Sequence, residues 1–429
     1  MQLFTRPLRG TAGAEQVLRS LAARARRRGT APPAALTGDW FGGGAVLAPS
    51  VEITGVPAER AFAVLDEVPA VDGPVDGPAG AVGGGWVGFL GYDLAGSGRM
   101  PPAAWGWADH VLRRDSTGRW WFEALGEPPA ALVDELAEVV AGSGEPPRSW
   151  EAGPVRAPDA EAHRKAVRAC VDEIAAGEVF QANICSRFRL PFDGDPVEVF
   201  AAGSDRFHPA RAAYLAGGWG AVASLSPELF LARSGPVVRS CPIKGTLPRR
   251  GDDDGNAARL RRSTKDVAEN VMIVDMARND LGRVGLPGRV TTPQLLDVQP
   301  HPGVWHLVSE VRAELPEGLA NADLLRATFP PASVTGTPKV RALEVIADLE
   351  SQPRELYCGA VGMASPVAGL ELNVAIRTLE CAGGTVQFGV GGGITADSDA
   401  EREWQECLTK AAPLLSLLEG QPRAASTAS

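Results

Sequence analysis

The strand-like segments of this chain occur in adjacent pairs that are joined by short glycine-containing turns. Two such pairs are residues 229–232 with 237–243, and residues 370–379 with 385–390. Strands that a tight turn connects run antiparallel, and few helices alternate with strands in the βαβ manner of a parallel sheet. The chain is therefore predicted to be an α+β protein with large antiparallel sheets.

The texture of the sequence divides the chain into three parts. Residues 1–125 contain short apolar runs broken by glycine, a helix and a stretch rich in glycine and proline follow to residue 160, and residues 160–418 contain longer elements. The chain is therefore divided into an N-terminal region, residues 1–150, a second region, residues 151–420, and a tail, residues 421–429, that is typical of disorder. Ser398, with Glu401 three residues later, has the capping-box pattern of a helix N-terminus. Helices are predicted over residues 128–140, 159–176, 263–278, 342–349 and 398–418. Residues 179–188 alternate in polarity, which predicts a strand buried on one face.

The charge and the cysteine pattern exclude several classes of protein. The net charge is −10 with a pI near 5.2, which disfavours nucleic acid binding and requires a local basic pocket for any anionic substrate. No run of about 18 apolar residues is present, so no membrane span is predicted. The six cysteines are dispersed without a C-x-x-C pair, as expected for reduced thiols in a cytoplasmic protein.

Two familiar motifs lack the context that they need. Residues 83–88 match G-x-G-x-x-G, but Gly91 disfavours the helix that a dinucleotide-binding motif requires. No cysteine has the G-x-C-x-G setting of a glutaminase nucleophile. We therefore expect neither a dinucleotide site nor glutaminase activity in this chain.

The predicted helix at residues 263–278 carries a carboxylate that is expected to be buried. The helix is apolar on almost every face, which is typical of a buried helix. Glu269 lies on the same face as Met272 and Ile273. A buried carboxylate is costly unless it is paired or bound to a metal. Two interpretations remain open, a buried ion pair, for example with Arg278, and a metal ligand.

A second acidic group and an anion site are predicted near the C-terminus. Glu406 and Lys410 have the spacing of an i, i+4 ion pair, which is usually a surface feature. The upstream glycines 391–393 allow a ligand to approach bare amides near a helix N-terminus. Glutamates from distant segments that converge with such an anion site indicate a Mg²⁺ ion shared with a carboxylate substrate.

The hairpin around Ser234-Gly235 brings Glu228 and Lys244 to its open end, since one precedes the first strand and the other follows the second. The two side chains can form a structural ion pair. They can also form an acid and nucleophile pair, because a desolvated lysine is a good nucleophile.

Many segments of the sequence resemble the chorismate-utilising enzymes, a family that contains anthranilate, aminodeoxychorismate, isochorismate and salicylate synthases. The resemblance covers residues 160–415 in order, and GFLGYD (88–93) extends it more weakly. It implies two large antiparallel β-sheets packed together with helices outside, and an active site between the sheets. The segments are GEVFQAN (177–183), SPELF (226–230), PIKGT (242–246), AENVMIVDMARNDLGRV (268–284), HLVSEV (306–311), FPPASVTGTPKVRALEVI (329–346), YCGAVG (357–362), AIRTL (375–379) and GVGGGITADSDAEREWQE (389–406).

The resemblance also implies roles for matching positions. The magnesium ligands of the family match Glu269 and Glu406, and its acidic neighbours of the metal match Asp266 and Glu403. The groups that hold the chorismate carboxylates match Tyr357, Arg377, Lys410 and the amides of Gly391, Gly392 and Gly393. A histidine near the ring matches His306, and a substrate-contacting hydroxyl matches Ser333. Chorismate is a dianion, so these cations and Mg²⁺ supply charge that the acidic chain as a whole does not.

Two positions distinguish the branches of the family. Isochorismate and salicylate synthases carry a water-activating lysine where this chain has Gln181, so the implied nucleophile is ammonia. Anthranilate synthases usually carry alanine where this chain has Lys244. The resemblance is therefore greatest to aminodeoxychorismate synthase component I, which acts in 4-aminobenzoate and folate biosynthesis. There the lysine is implicated in attack on the ring, Glu228 would be the acid–base group, and a glutamine amidotransferase subunit supplies ammonia. Anthranilate synthase and a non-catalytic anion-binding paralogue remain alternatives.

Overall fold

Two β-sheets and the helices that cover them make up most of the protein. A computed structural model describes residues 1–71, 77–96, 98–142, 144–251 and 255–420; the predicted tail, residues 421–429, lies outside this range. The strands are β1 Leu3–Leu8, β2 Ala34–Gly38, β3 Ala45–Ala48, β4 Thr54–Gly55, β5 Gly85–Leu90, β6 Ala103–Ala108, β7 His110–Arg114, β8 Trp120–Leu125, β9 Glu151–Ala152, β10 Gln181–Asp193, β11 Arg211–Gly217, β12 Gly220–Ser226, β13 Leu229–Ser234, β14 Val237–Cys241, β15 Ile243–Pro248, β16 Val290–His301, β17 Val304–Glu314, β18 Gly336–Thr337, β19 Ala360–Ser365, β20 Gly369–Val374, β21 Thr378–Ala382 and β22 Thr385–Ile394. The helices are α1 Ala14–Arg28, α2 Ala130–Ala141, α3 Ala160–Ala175, α4 Pro196–Phe207, α5 Asn256–Arg261, α6 Thr264–Gly282, α7 Asn321–Thr328, α8 Lys339–Leu349 and α9 Ala400–Leu418.

Both sheets are antiparallel. The first has the order β1-β8-β7-β3-β2-β11-β12-β21-β22-β10-β18, with β9 also paired to β10. The second has the order β15-β17-β14-β13-β20-β19-β5-β6-β4, with β16 also paired to β17. Strands from residues 1–150 pair directly with strands from residues 151–420 in both sheets, at β2–β11 and at β5–β19.

The sheets pack face to face, and the helices cover their outer faces. The core between the sheets combines residues such as Leu36 and Val222 of the first sheet with Phe89 and Val361 of the second. Helices α1, α2, α4 and α9 pack on the first sheet, whereas α6 and α7 pack on the second. The predicted fold class, two large antiparallel sheets with helices outside, is therefore confirmed. None of the described helices is long and apolar enough to cross a bilayer.

Phe89 contributes a fully buried ring to the contact between the sheets, edge-to-face with Trp219 at 5.1 Å between ring centroids. Phe89→Ala is expected to lower the free energy of unfolding by about 3–5 kcal/mol, since it removes a buried ring and leaves a cavity. Urea unfolding curves measure this loss. Phe180→Ala is the matched control because that ring is 69% exposed; equal losses in the two variants would contradict the packing described.

Two of the places where the chain passes from one sheet to the other are neighbours. β12 of the first sheet leads through Glu228 into β13 of the second, and β20 of the second leads through Arg377 into β21 of the first. The Leu225 N–H donates to the carbonyl of Arg377, and the Val374 N–H donates to the carbonyl of Glu228, both at 3.0 Å. The two crossings therefore hold an acid and a cation side by side at one end of the interface.

One of these crossings shows that the prediction of a single strand over residues 370–379 is wrong. Arg377 has a φ of 49°, a left-handed conformation that a continuous strand does not contain. The segment consequently splits into β20 and β21, which belong to different sheets. The hairpin partner of residues 385–390 is β21 alone.

Two further local predictions are also wrong. The strand at 179–188 is not exposed on one face: β10 begins at Gln181, and both Gln181 and Asn183 are buried. One face of β10 packs against α3 and α8, and the other faces the second sheet. Asp399, rather than Ser398, caps α9, since its carboxylate accepts a hydrogen bond from the Arg402 N–H.

Candidate active site

Lys244 reaches from the second sheet to the first across the cleft between them. It lies on β15, yet a Cβ atom on Gly393 of β22 would come within 3.3 Å of its Nζ atom. The same Cβ would lie 2.2 Å from Nε2 of Gln181, so only glycine leaves room for both side chains. Lys244, Gln181 and the glycine strand are therefore direct neighbours, although they come from three separate segments.

Glu228 is a buried carboxyl group beside Lys244. It is 4% exposed, and burial raises its pKa to about 7, against the opposing effects of the Ser333 hydroxyl and the Lys244 ammonium. A carboxyl group with a pKa near the working pH can both donate and accept a proton. The structure thus brings the predicted acid, Glu228, together with Lys244 and Ser333.

His306 faces the same cleft from β17, which pairs with the strand that carries Lys244. It is 2% exposed, and its Nδ1 atom lies 2.8 Å from the hydroxyl of Thr246, its cross-strand neighbour. Burial, together with the nearby charges of Arg377 and His301, lowers the pKa of His306 to about 3. The imidazole is therefore neutral at physiological pH.

Arg377 supplies the cleft with a cation that is free for a ligand. Its side chain is exposed, and it has no ion-pair partner within 4 Å in the part of the chain that the structure describes. Glu228 and His306 are both close enough to interact with its charge. A guanidinium without an ion-pair partner is well suited to bind a carboxylate through two parallel hydrogen bonds.

Three glutamates converge on the other side of Lys244. Glu269 of α6 is 9% exposed, and its Oε1 atom has no hydrogen-bond partner. Across the cleft, a Cβ atom on Gly392 would lie 3.1 Å from Oε2 of Glu403 and 3.7 Å from Oε1 of Glu406. The hypothesis that Glu269 pairs with Arg278 is wrong, because its nearest cations are the lysines 244 and 265, at 3.9 and 3.8 Å.

This cluster fits a hard divalent cation. An unsatisfied carboxylate oxygen inside a protein is costly, and Oε1 of Glu269 is such an atom. Within the described residues no three acidic or histidine side chains form a complete metal site. Mg²⁺, however, is commonly held by one or two carboxylates together with water and substrate oxygens, and Glu269 and Glu406 provide such a pair.

The remaining predicted residues lie around this centre. Lys410 contacts Glu406 Oε1 at 2.8 Å and donates to the carbonyl of Gly391 at 2.7 Å. The ring of Tyr357 packs where a side chain on residue 389 would be, so glycine is required there. Asp266 lies against Gly245, which has a φ of 87°. Most of the predicted site residues thus lie around Lys244 and the glycine strand, and Tyr357 packs against that strand at Gly389.

Arg354 is a residue of this region that the sequence analysis missed. It is 2% exposed and donates to the carbonyls of Val334 and Asn183, at 2.8 and 2.5 Å, and to Glu350 at 2.6 Å. It thereby ties the turn that carries Ser333 to β10. No sequence pattern reveals this role, since two of its partners are backbone carbonyls of distant segments.

The sequence profile of a family described as "chorismate binding enzyme" matches residues 57–416. The chain belongs to this family. The chain is similar to aminodeoxychorismate synthase component 1 of Klebsiella aerogenes, with 37% identity over 364 residues, which are 78% of this chain and 77% of that protein. The component 1 protein of Escherichia coli K12 is 41% identical over 273 residues, 63% of this chain. Anthranilate synthase component 1 of Thermus thermophilus is 37% identical over 262 residues, 60% of this chain.

The matched regions are 59% of the length of the Escherichia coli protein and 57% of the length of the Thermus thermophilus protein.

Solved structures of related folds support the same architecture. The menaquinone-specific isochorismate synthase of Escherichia coli superposes with a TM-score of 0.74 at 21% identity, over 97% of this chain and 94% of that one. Anthranilate synthase component I of Streptococcus pneumoniae superposes with a TM-score of 0.71 at 23% identity, over 96% and 91%.

Proposed function

We propose that this protein is the chorismate-aminating component of an aminodeoxychorismate synthase, which converts chorismate and ammonia into 4-amino-4-deoxychorismate and water. The observation that carries the proposal is the position of Lys244. It lies in the cleft between a proton-holding carboxyl group, Glu228, and the neutral amide of Gln181. The site thus offers an amine nucleophile but no lysine at position 181 to activate water.

The reaction proceeds in two displacements. In the first, the neutral amine of Lys244 forms a bond to ring C2 while the C4–oxygen bond breaks, and Glu228 gives its proton so that the hydroxyl leaves as water. In the second, ammonia forms a bond to C4 and the bond between C2 and Lys244 breaks. The carboxylate of Glu228 then takes the surplus proton from the new ammonium group, which restores both residues.

The substrate is held by charge. Arg377 and Lys410 supply cations for the two carboxylates, and the amides of the glycines 391–393 offer further donors. Glu269 and Glu406 would hold a Mg²⁺ ion, which when bound supplies positive charge beside a substrate carboxylate. His306, neutral and oriented by Thr246, borders the position of the ring.

A product assay tests the proposal. Purified protein is incubated with chorismate, Mg²⁺ and an ammonium salt, and the products are followed by mass spectrometry. An aminated chorismate that retains its pyruvyl group supports the proposal. Release of pyruvate with equal amounts of fluorescent 2-aminobenzoate would instead identify an anthranilate synthase, the activity named for the Thermus thermophilus relative. No turnover would favour a non-catalytic anion-binding protein.

Glutamine alone is not expected to support turnover by this chain, whereas ammonium is. No cysteine of the sequence has the setting of a glutaminase nucleophile, and the name "component 1" of the relatives supports a separate glutamine amidotransferase partner. Aminated product is measured with each nitrogen source at equal concentration. Equal rates with purified chain alone would contradict this division of labour.

The pH dependence of kcat/KM is expected to show an inflection near the pKa of Glu228, about 7. Glu228 must hold a proton when the hydroxyl leaves and must have lost it before it accepts one from the new ammonium group, so the rate depends on its titration. The inflection should disappear in Glu228→Gln, which cannot titrate. A flat wild-type profile from about pH 6 to about pH 8.5 would contradict the role of Glu228 as the acid.

A further inference from the structure

Lys265 is a cation of the glutamate cluster to which neither the sequence motifs nor the proposed reaction gives a role. Its Nζ atom lies 3.4 Å from Oε1 of Glu403 and 3.8 Å from Oε1 of Glu269. Its side chain is nevertheless 55% exposed, whereas those of Glu269 and Glu403 are 11% and 4% exposed. The lysine therefore covers the acidic cluster from the solvent side.

The cations at the glutamate cluster are lysines, although most basic residues of the chain are arginines. Of the 42 basic residues in the chain only five are lysines, and three of these, Lys244, Lys265 and Lys410, lie at the glutamate cluster. Elsewhere the chain relies almost entirely on arginine. A lysine ammonium is a compact charge on a flexible four-carbon stem, whereas an arginine forms a rigid, planar fork. The cations at the cluster are therefore lysine side chains, which can change conformation more easily than arginine side chains.

The position of Lys265 is also electrostatically unfavourable for helix α6. It is the second residue of α6, where the helix dipole disfavours a positive charge. Its contacts do not saturate the carboxylates either, because Glu269 Oε1 still lacks a hydrogen bond. By contrast, Lys410 contacts Glu406 at 2.8 Å. Lys265 neutralises the cluster loosely and remains free to leave toward solvent.

We propose that Lys265 is a built-in counter-ion that competes with the divalent cation: it neutralises Glu269 and Glu403 while the metal is absent, and it withdraws into solvent when the metal binds. The inference rests on the proposed metal site at Glu269 and Glu406. In the absence of a metal, three lysines face three glutamates and Asp266. A dication therefore enters a partly neutralised site, and its affinity for the substrate-free protein is kept low until a dianionic substrate arrives.

Direct binding of Mn²⁺ to the full-length, substrate-free protein tests this inference, with free Mn²⁺ measured by electron paramagnetic resonance at constant ionic strength. Lys265→Met, which removes the charge and keeps the stem, is expected to bind Mn²⁺ about tenfold more tightly than the wild type, because one nearby positive charge is lost. Lys265→Arg should stay within about threefold of the wild type. Lys165→Met, a change at an exposed lysine of α3, should have no effect.

The expected result is a gain of affinity, which misfolding does not produce. Equal or weaker binding by Lys265→Met would overturn the inference, and so would equal tightening by Lys265→Arg, since the effect would then not depend on charge. If the wild type binds Mn²⁺ and Lys265→Met does not differ from it, only the counter-ion role fails. If neither protein binds Mn²⁺ even with chorismate present, the metal site under the proposed function fails as well.

Discussion

Glu406→Gln is expected to reduce turnover of chorismate by a factor of about a thousand or more, while the fold stays intact. The change removes one of two carboxylates that would hold Mg²⁺, and metal charge at such a site contributes several kcal/mol, about tenfold in rate for each 1.4 kcal/mol. The side chain is 44% exposed, so its loss leaves no cavity. The loss of rate is measured as turnover with ammonium and Mg²⁺, and the fold is checked by circular dichroism.

Glu401→Gln on the same helix is the matched control. Glu401 pairs with Arg164 at 2.7 Å on the outer surface, and its loss should leave the rate unchanged. Wild-type turnover should also stop in excess EDTA and return when Mg²⁺ is restored. Full activity in EDTA would remove the metal from the mechanism, whatever the effect of the glutamine substitution.

Lys244→Ala is expected to lower the formation of aminodeoxychorismate at least about a hundredfold, because it removes the nucleophile of the first displacement. Any residual reaction should then come from direct attack of ammonia on ring C2, which gives an anthranilate-type product. Mass spectrometry of the products distinguishes the two compounds by the presence of the pyruvyl group. The effect is thus expected on the identity of the product as well as on the rate.

Lys165→Ala controls for the loss of a lysine, since that side chain is exposed and lies on α3. A Lys244→Ala protein that makes aminodeoxychorismate at the wild-type rate would show that ammonia attacks without a covalent intermediate. The loss should not be accompanied by unfolding, because Lys244 is on a strand whose backbone pairing with β17 does not depend on the side chain.

The predicted hairpin around Ser234-Gly235 and the predicted helix at residues 263–278 follow from local patterns, because turn residues and periodicity are short-range signals. The structure confirms that both elements exist, but the second hairpin strand ends at Cys241, and α6 is buried on one face only, with Val271 44% exposed. The mistaken strand at 370–379 shows the limit of such signals. Six of its ten residues are apolar, as in a buried strand, and nothing local reveals that the chain changes sheets at Arg377. That change depends on contacts with Leu225 and Glu228, about 150 residues earlier.

The same limit applies to the partners of Glu269. A helix pattern shows that a carboxylate is buried, but it cannot show which cation faces it. The sequence analysis named Arg278 as a possible partner, yet Arg278 pairs with Asp275 on the surface. The actual neighbours are Lys265, one helical turn earlier, and Lys244, on a strand. Sequence resemblance identifies the participants of the site, whereas their pairing depends on tertiary structure.

The pairing of β2 with β11 and of β5 with β19 has a consequence for attempts to divide this protein. A fragment of residues 151–420 would keep all the residues proposed for chemistry, but one long edge of each sheet would lose its neighbour. Open edges of this kind are templates for pairing with other chains. Residues 1–150 thus cover the edge strands β11 and β19 and prevent them from pairing with other chains. A shortened protein would need new partners for these two strands before it needed any change in the catalytic residues.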